Sequence, residues 1–224
     1  MKSILFDVDG VFLSEERCFD VSAITVEELL TSEGIFLGCG TYIDFENDLN
    51  DKKIQEIRER VFQHDKILNQ LKSLGLNSNW DMLFIVFSIH LIDLAKQLDQ
   101  SHRCEFLNSS TFNEKTLFEM NKHLLHKEID YEKPLEVIDS FRNGKDAIYE
   151  DLESYAKDQL EIDDTELFKL KSNLWQFAKD TYQEWYLGKD LFNKVEEGTA
   201  LLDFKKGFIY EEVILKPQEE IQLL

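Results

Sequence analysis

Little in this 224-residue chain suits a membrane, a nucleic acid or a disulfide-stapled fold. Its longest apolar run, Met82 to Leu91, is interrupted by Ser88 and His90 and falls well short of the ~20 residues that a membrane span requires. The N-terminus offers one lysine and an apolar run too short for a signal peptide. Cations are scarce: 25 Lys and Arg against 45 Asp and Glu give a formal charge of −20. Such a surface repels the phosphates of nucleic acids and anionic membranes, so neither is expected as a partner. The three cysteines, Cys18, Cys39 and Cys104, are odd in number and lack metal-ligand spacing. Reduced thiols in a soluble cytoplasmic protein are therefore expected. A Gly-rich phosphate loop, a nucleophile elbow and a paired-cysteine motif are missing, as are internal repeats and low-complexity segments.

What is present is ample for folding. A hydrophobic content of 43% with 12% aromatics is that of a globular protein, and the length suits one or two domains. Most of the chain has a helical period. Val21 to Leu30 predicts a helix, with Thr25 and Glu28 spaced as a capping box. Gly34, Gly38 and Gly40 mark a loop. Ile54, Ile57, Val61, Leu68 and Leu71 then predict one amphipathic helix ending near Gly75.

Asn77-Ser78-Asn79 offers N-caps for a helix from Trp80, apolar on nearly all sides through Leu91 and hence the buried centre of a bundle. Thr111 and Glu114 suggest another capping box. Pro134 suits a first helical turn, and Asn143-Gly144 a C-cap. A last long helix is predicted from Asp163-Asp164-Thr165 to Gly188. Beyond it, 200–204 and 208–210 read as two short extended segments around Lys205-Lys206-Gly207, and Val213-Ile214-Leu215 leads into Pro217 and a helical turn. Trp80, Trp175 and Trp185 sit at core-like positions. His123 and His126, one turn apart, are spaced to share a metal but read better as a solvated helical face.

The first ten residues differ from this pattern. Ile4-Leu5-Phe6 reads as a strand buried on both faces, followed by Asp7-Val8-Asp9-Gly10. Alternate residues of a strand share a face, so Asp7 and Asp9 can converge on one atom, and Gly10 permits a sharp turn. This resembles the opening motif of the haloacid dehalogenase-like (HAD) superfamily, an apolar strand followed by Asp-x-Asp-Gly.

The resemblance implies a Mg²⁺-dependent phosphomonoester hydrolase acting on a small phosphorylated metabolite. Asp7 would be the nucleophile and Asp9 the general acid/base. Both would hold Mg²⁺, and Val8 and Gly10 would supply the backbone of the phosphate pocket. It implies a mainly α chain: residues 1–20 as first core strand and flap, 21–198 as a helical cap, and 199–224 as a return hairpin and the start of a core helix. The α/β Rossmann-like core would be incomplete. The family's later motifs find no match, so the chain reads as an inactive N-terminal portion. The other reading is a non-enzymatic acidic helical protein that binds a basic partner and retains Asp-x-Asp-Gly as a relic. Oligomeric state stays open.

Overall fold

In a computed structural model of the protein, residues 10–196 and 198–216 are described. They form ten α-helices: α1 (Glu16–Thr31), α2 (Asp51–Val61), α3 (Lys66–Ser73), α4 (Asn79–Ala95), α5 (Gln100–Phe106), α6 (Glu114–Leu124), α7 (Lys133–Ile138), α8 (Lys145–Leu160), α9 (Asn173–Leu187) and α10 (Lys189–Val195). Short 3₁₀ turns occupy Glu166–Phe168 and Phe208–Glu211. No helix among them is long and apolar enough to cross a membrane.

The centre is α4, as its composition predicts. Ser78 caps it by accepting from the Asp81 amide at 3.3 Å. Every residue from Asp81 to Ile92 is buried, and the helix packs against α1, α7, α8 and α9. A helix apolar on all sides has nowhere else to lie. Burial within it pushes His90 down to about 4, so this side chain is neutral at physiological pH.

The second long core element, α1, begins at Glu16 rather than Val21. The capping box expected from Thr25 and Glu28 does not form. Thr25 lies mid-helix with its hydroxyl donating to the Val21 carbonyl at 2.8 Å, a back-bond that satisfies a buried hydroxyl within its own helix. Every residue of α1 from Cys18 onward is buried, including Asp20, Glu27 and Glu28. Three carboxylates facing inward demand cations, and each finds one: Arg58 for Asp20, Arg60 for Glu27 and Lys205 for Glu28.

The single helix predicted up to Gly75 is two, α2 and α3. Between them Gln63, His64 and Asp65 adopt φ of +53°, +54° and +62°, an uncommon run for residues with side chains. Arg58 clamps the turn through two bonds to Asp65, at 3.0 and 2.8 Å. Sequence offered no glycine or proline there.

Other helix limits move by a few residues. Asn113, not Thr111, caps α6, in a reciprocal box with Thr116. Gly144, at φ +106°, precedes α8 instead of closing the helix before it. Asp163 and Asp164 do not open α9, which Ser172 caps; Asp164 accepts instead from the Ser109 amide and hydroxyl at 3.0 and 2.9 Å. The stop of α9 at Gly188 is as expected.

The hairpin predicted between 201 and 214 is absent. Phe204 and Phe208 pack around Trp185, with ring centroids 5.8 and 6.3 Å away, so tertiary burial displaces local strand preference. Gly188 and Gly207 make that course possible. A Cβ on Gly207 would stand 2.5 Å from the Leu187 carbonyl oxygen, and one on Gly188 2.7 Å from the Lys206 backbone. Backbone meets backbone there, and Lys205 is driven into the core.

The HAD resemblance is therefore corrected. Its core requires a β-sheet, and the described residues contain none; they hold one isolated antiparallel bridge, Leu13 to Ile214. The mainly helical part of the expectation stands, whereas the α/β core with an inserted cap does not. The strand expected over 3–8 lies outside the described residues, as does the helical turn after Pro217.

Candidate functional site

Two arms of the chain meet at that bridge. Ser14 donates its amide to the Val213 carbonyl at 2.9 Å, and Leu215 donates to that of Phe12 at 2.8 Å. Leu13 and Ile214 thus form a non-hydrogen-bonded antiparallel pair, the closer of the two pairing geometries. Side chains alternate across such a ribbon: Leu13 and Ile214 share one face, and Phe12, Val213 and Leu215 the other. Both faces are apolar, the pattern of strands covered on both sides. Yet Ile214 is 66% exposed, Val213 55%, Leu215 47% and neighbouring Val11 39%.

The neck is firmly mounted on the bundle. On one arm Glu15 pairs with Lys72 at 3.0 Å and Glu16 with Arg58. On the other, Glu211 pairs with Arg17 at 3.2 Å, and Glu212 accepts from the Tyr186 hydroxyl at 2.8 Å. Arg17 also bonds Asp20 at 3.2 Å, which ties both arms to the start of α1. A rigid base carrying uncovered apolar side chains is the form of a docking surface.

Of the residues singled out in the sequence, Gly10 is described: it sits in a turn at φ +72°, its amide donating to the Leu13 carbonyl at 2.8 Å. Asp7, Val8 and Asp9 lie outside the described residues. The Mg²⁺ site expected on Asp7 and Asp9 therefore lies outside the described residues as well. Among the described residues, no group of three or more His, Cys, Asp or Glu is placed to hold a metal ion. His123 lies against His102, with ring centroids 4.3 Å apart. Cys18 and Cys39 are buried and Cys104 exposed, and none of the three is in a disulfide; burial pushes Cys39 up to about 12.

No protein-family model and no curated protein sequence matches the chain. One solved structure does. An X-ray structure of a Northeast Structural Genomics Consortium target matches the whole chain at 51% identity with a TM-score of 0.89. The match covers 100% of this chain and 58% of the other. The two share a fold, and the chain spans rather more than half the length of its solved relative.

Sequence reading placed function at Asp7 and Asp9 and missed the neck. The available signal was Val213-Ile214-Leu215 beside Val11-Phe12-Leu13. Two short apolar triplets carry no mark of mutual pairing across some two hundred residues, so only the fold brings them together.

Proposed function

We propose that this chain is a non-enzymatic helical interaction domain that docks a second folded polypeptide unit through the apolar neck. The observation that carries the reading is the uncovered pair of apolar faces around Leu13 and Ile214, held on a charge-clamped base. The occupant is polypeptide of the kind by which the solved relative exceeds this chain, presenting an apolar face to Val213, Ile214 and Leu215. A basic rim on that unit suits the net charge of −20, because opposite fields speed encounter and exclude wrong partners. The phosphomonoester hydrolase reading rested on the HAD core, and the described residues, which contain no sheet, lend that core no support.

In the solved relative, positions matching Val11, Val213, Ile214 and Leu215 are expected to be covered by chain beyond the matched part. Solvent on those positions would overturn the proposal. In solution, Ile214→Asp is expected to leave thermal stability nearly unchanged, since exposed sites typically shift stability by less than about 0.5 kcal/mol. A monomer is expected in sedimentation for both proteins. A wild-type dimer dissolved by Ile214→Asp would assign the face to a second copy instead. Hydrolysis of a generic aryl phosphate with Mg²⁺ is expected at background; turnover lost on Asp7→Asn would make the chain an enzyme and sink the reading.

A further inference from the structure

Away from the residues of the neck, a recess of about 380 Å³ opens between α1, α2 and the loop before α7. Its floor is Glu27, a buried carboxylate on α1. Glu27 accepts from the Tyr131 hydroxyl at 3.0 and 2.9 Å and pairs with Arg60 of α2. Its charge is thereby answered within the protein. Arg60 is not used up in the process. A guanidinium carries five N–H donors, and this one is shared between Glu27 and Tyr131, while its Nε–H is buried with no partner. The guanidinium also lies 5.0 Å from the Tyr131 ring centre, a stacking that fixes its orientation.

Lys53 lines the same recess about two turns earlier on α2, ion-paired with Glu56 at 3.8 Å and attracted to Glu27 as well. The unfilled capacity of the site is thus cationic and donating. Glu128 stands exposed at the rim as the one further carboxylate of the lining. Ile43 is buried and Tyr42 is 59% exposed, and both belong to the wall.

The wall is held in place before any ligand arrives. The Gly40 amide donates to the Lys127 carbonyl at 2.7 Å. At φ +62° a Cβ on Gly40 would come within 2.9 Å of Ile129, so the loop lies flush against its neighbour. Concave, largely pre-formed sites with a few convergent polar groups are the usual form of small-molecule pockets.

We propose that this recess binds a small organic oxyanion, with its carboxylate or phosphate on Lys53 and the free edge of Arg60 and its carbon frame against Ile43 and Tyr42. Charge-assisted bonds to a guanidinium are the strong ones; Glu27 offsets part of the charge of Arg60, so the ammonium of Lys53 supplies the rest. This goes beyond docking at the neck and does not depend on it.

The test is calorimetric titration of the full chain with phenylacetate, phenyl phosphate and the neutral phenylacetamide at matched ionic strength. Saturable one-to-one binding of at least one anion is expected, with the amide weaker by about tenfold or more, the loss of one good charged contact. Preference between the two anions tells carboxylate from phosphate. Arg60→Met leaves Glu27 without its cation and risks unfolding, so the deciding variant is Lys53→Met, which keeps the Glu27–Arg60 pair. Lys53→Met is expected to weaken the anion by about tenfold while the circular dichroism spectrum is unchanged. Three results would each overturn the site: no anion binding up to about 10 mM, anion and amide binding alike, or a Lys53→Met variant that binds as the wild type does.

Discussion

Replacing Lys205 by methionine is expected to cost the fold about 3–5 kcal/mol, the loss typical of breaking a buried ion pair from one side. The Lys205 side chain has no solvent exposure, and neither has that of Glu28, 2.9 Å away. Glu184 completes the group at 3.1 Å from the same ammonium, and Trp185 donates its indole N–H to Glu28 at 2.8 Å. Methionine preserves most of the volume but strands two carboxylates in the core. Urea unfolding measures the loss as a lower midpoint at constant slope. A loss below about 1 kcal/mol would mean that water reaches the group. The triple variant Lys205→Met, Glu28→Gln, Glu184→Gln is expected to recover part of the loss, because the penalty lies in the uncompensated charge.

The same group sets the sign of the pH dependence. Burial raises Glu28 above its ordinary 4.5, against the pull of Lys205. Burial likewise raises Glu27, against Arg60, and Asp20, against Arg58. A carboxyl raised on folding binds its proton more tightly in the folded state. Its contribution is complete below the unfolded value and is lost as pH rises through the folded one. Asp151 and Asp164 are held below their ordinary 3.8, so their losses begin only at lower pH. His90, held down to about 4 by burial, acts the other way, because its unfolded imidazole takes up a proton over the same interval; in a His90→Gln background the melting temperature is therefore expected to rise as pH falls from about 7 to about 5.5. A fall over that interval would show that the inward carboxylates stay charged.

Asp81→Ala is the second large loss, also expected at about 3–5 kcal/mol. Asp81 is 1% exposed and receives the Tyr149 hydroxyl at 2.9 Å, the Trp175 indole N–H at 2.9 Å and the Lys145 ammonium. One carboxylate thus joins α4, α8 and α9. Alanine removes the shared acceptor and leaves buried donors of two helices without partners, each costing about 1–3 kcal/mol. Thermal unfolding followed by near-ultraviolet circular dichroism reads both stability and the setting of Trp175. A small loss with an unchanged tryptophan signal would mean that other acceptors replace Asp81.

These anchors show how far sequence reading reached. The burial of α4 and the end of α9 were legible because their causes are local: an unbroken apolar surface after Ser78, and Gly188 after a periodic run. Lys205 was not legible, since its partners stand 21 and 177 residues away and its burial depends on the glycine contact at Gly188 and Gly207. Nor was the turn at Gln63–Asp65, because Arg58 rather than a breaker residue imposes it. The false hairpin at 201–214 shows the converse: local preference was strand-like, and Trp185 offered better burial. For the candidate site, the Asp7 and Asp9 reading remained a matter of motif, whereas the neck and the Arg60 recess both arise from residues distant in sequence.

The pairing of Leu13 with Ile214 has a topological consequence. Everything between those residues leaves and returns through one gap, about 4.5 Å wide at the Cα atoms of such a pair. To a host chain, the whole bundle has the footprint of a tight turn. Splicing it into a surface loop would separate the loop's ends by no more than that gap, and the host would feel the closure of a short loop rather than a long one. By the same geometry, the arms can be joined by a brief Gly-Ser bridge and the chain reopened at the exposed turn of Ser110 and Thr111, with the helices keeping their neighbours while their order along the chain rotates.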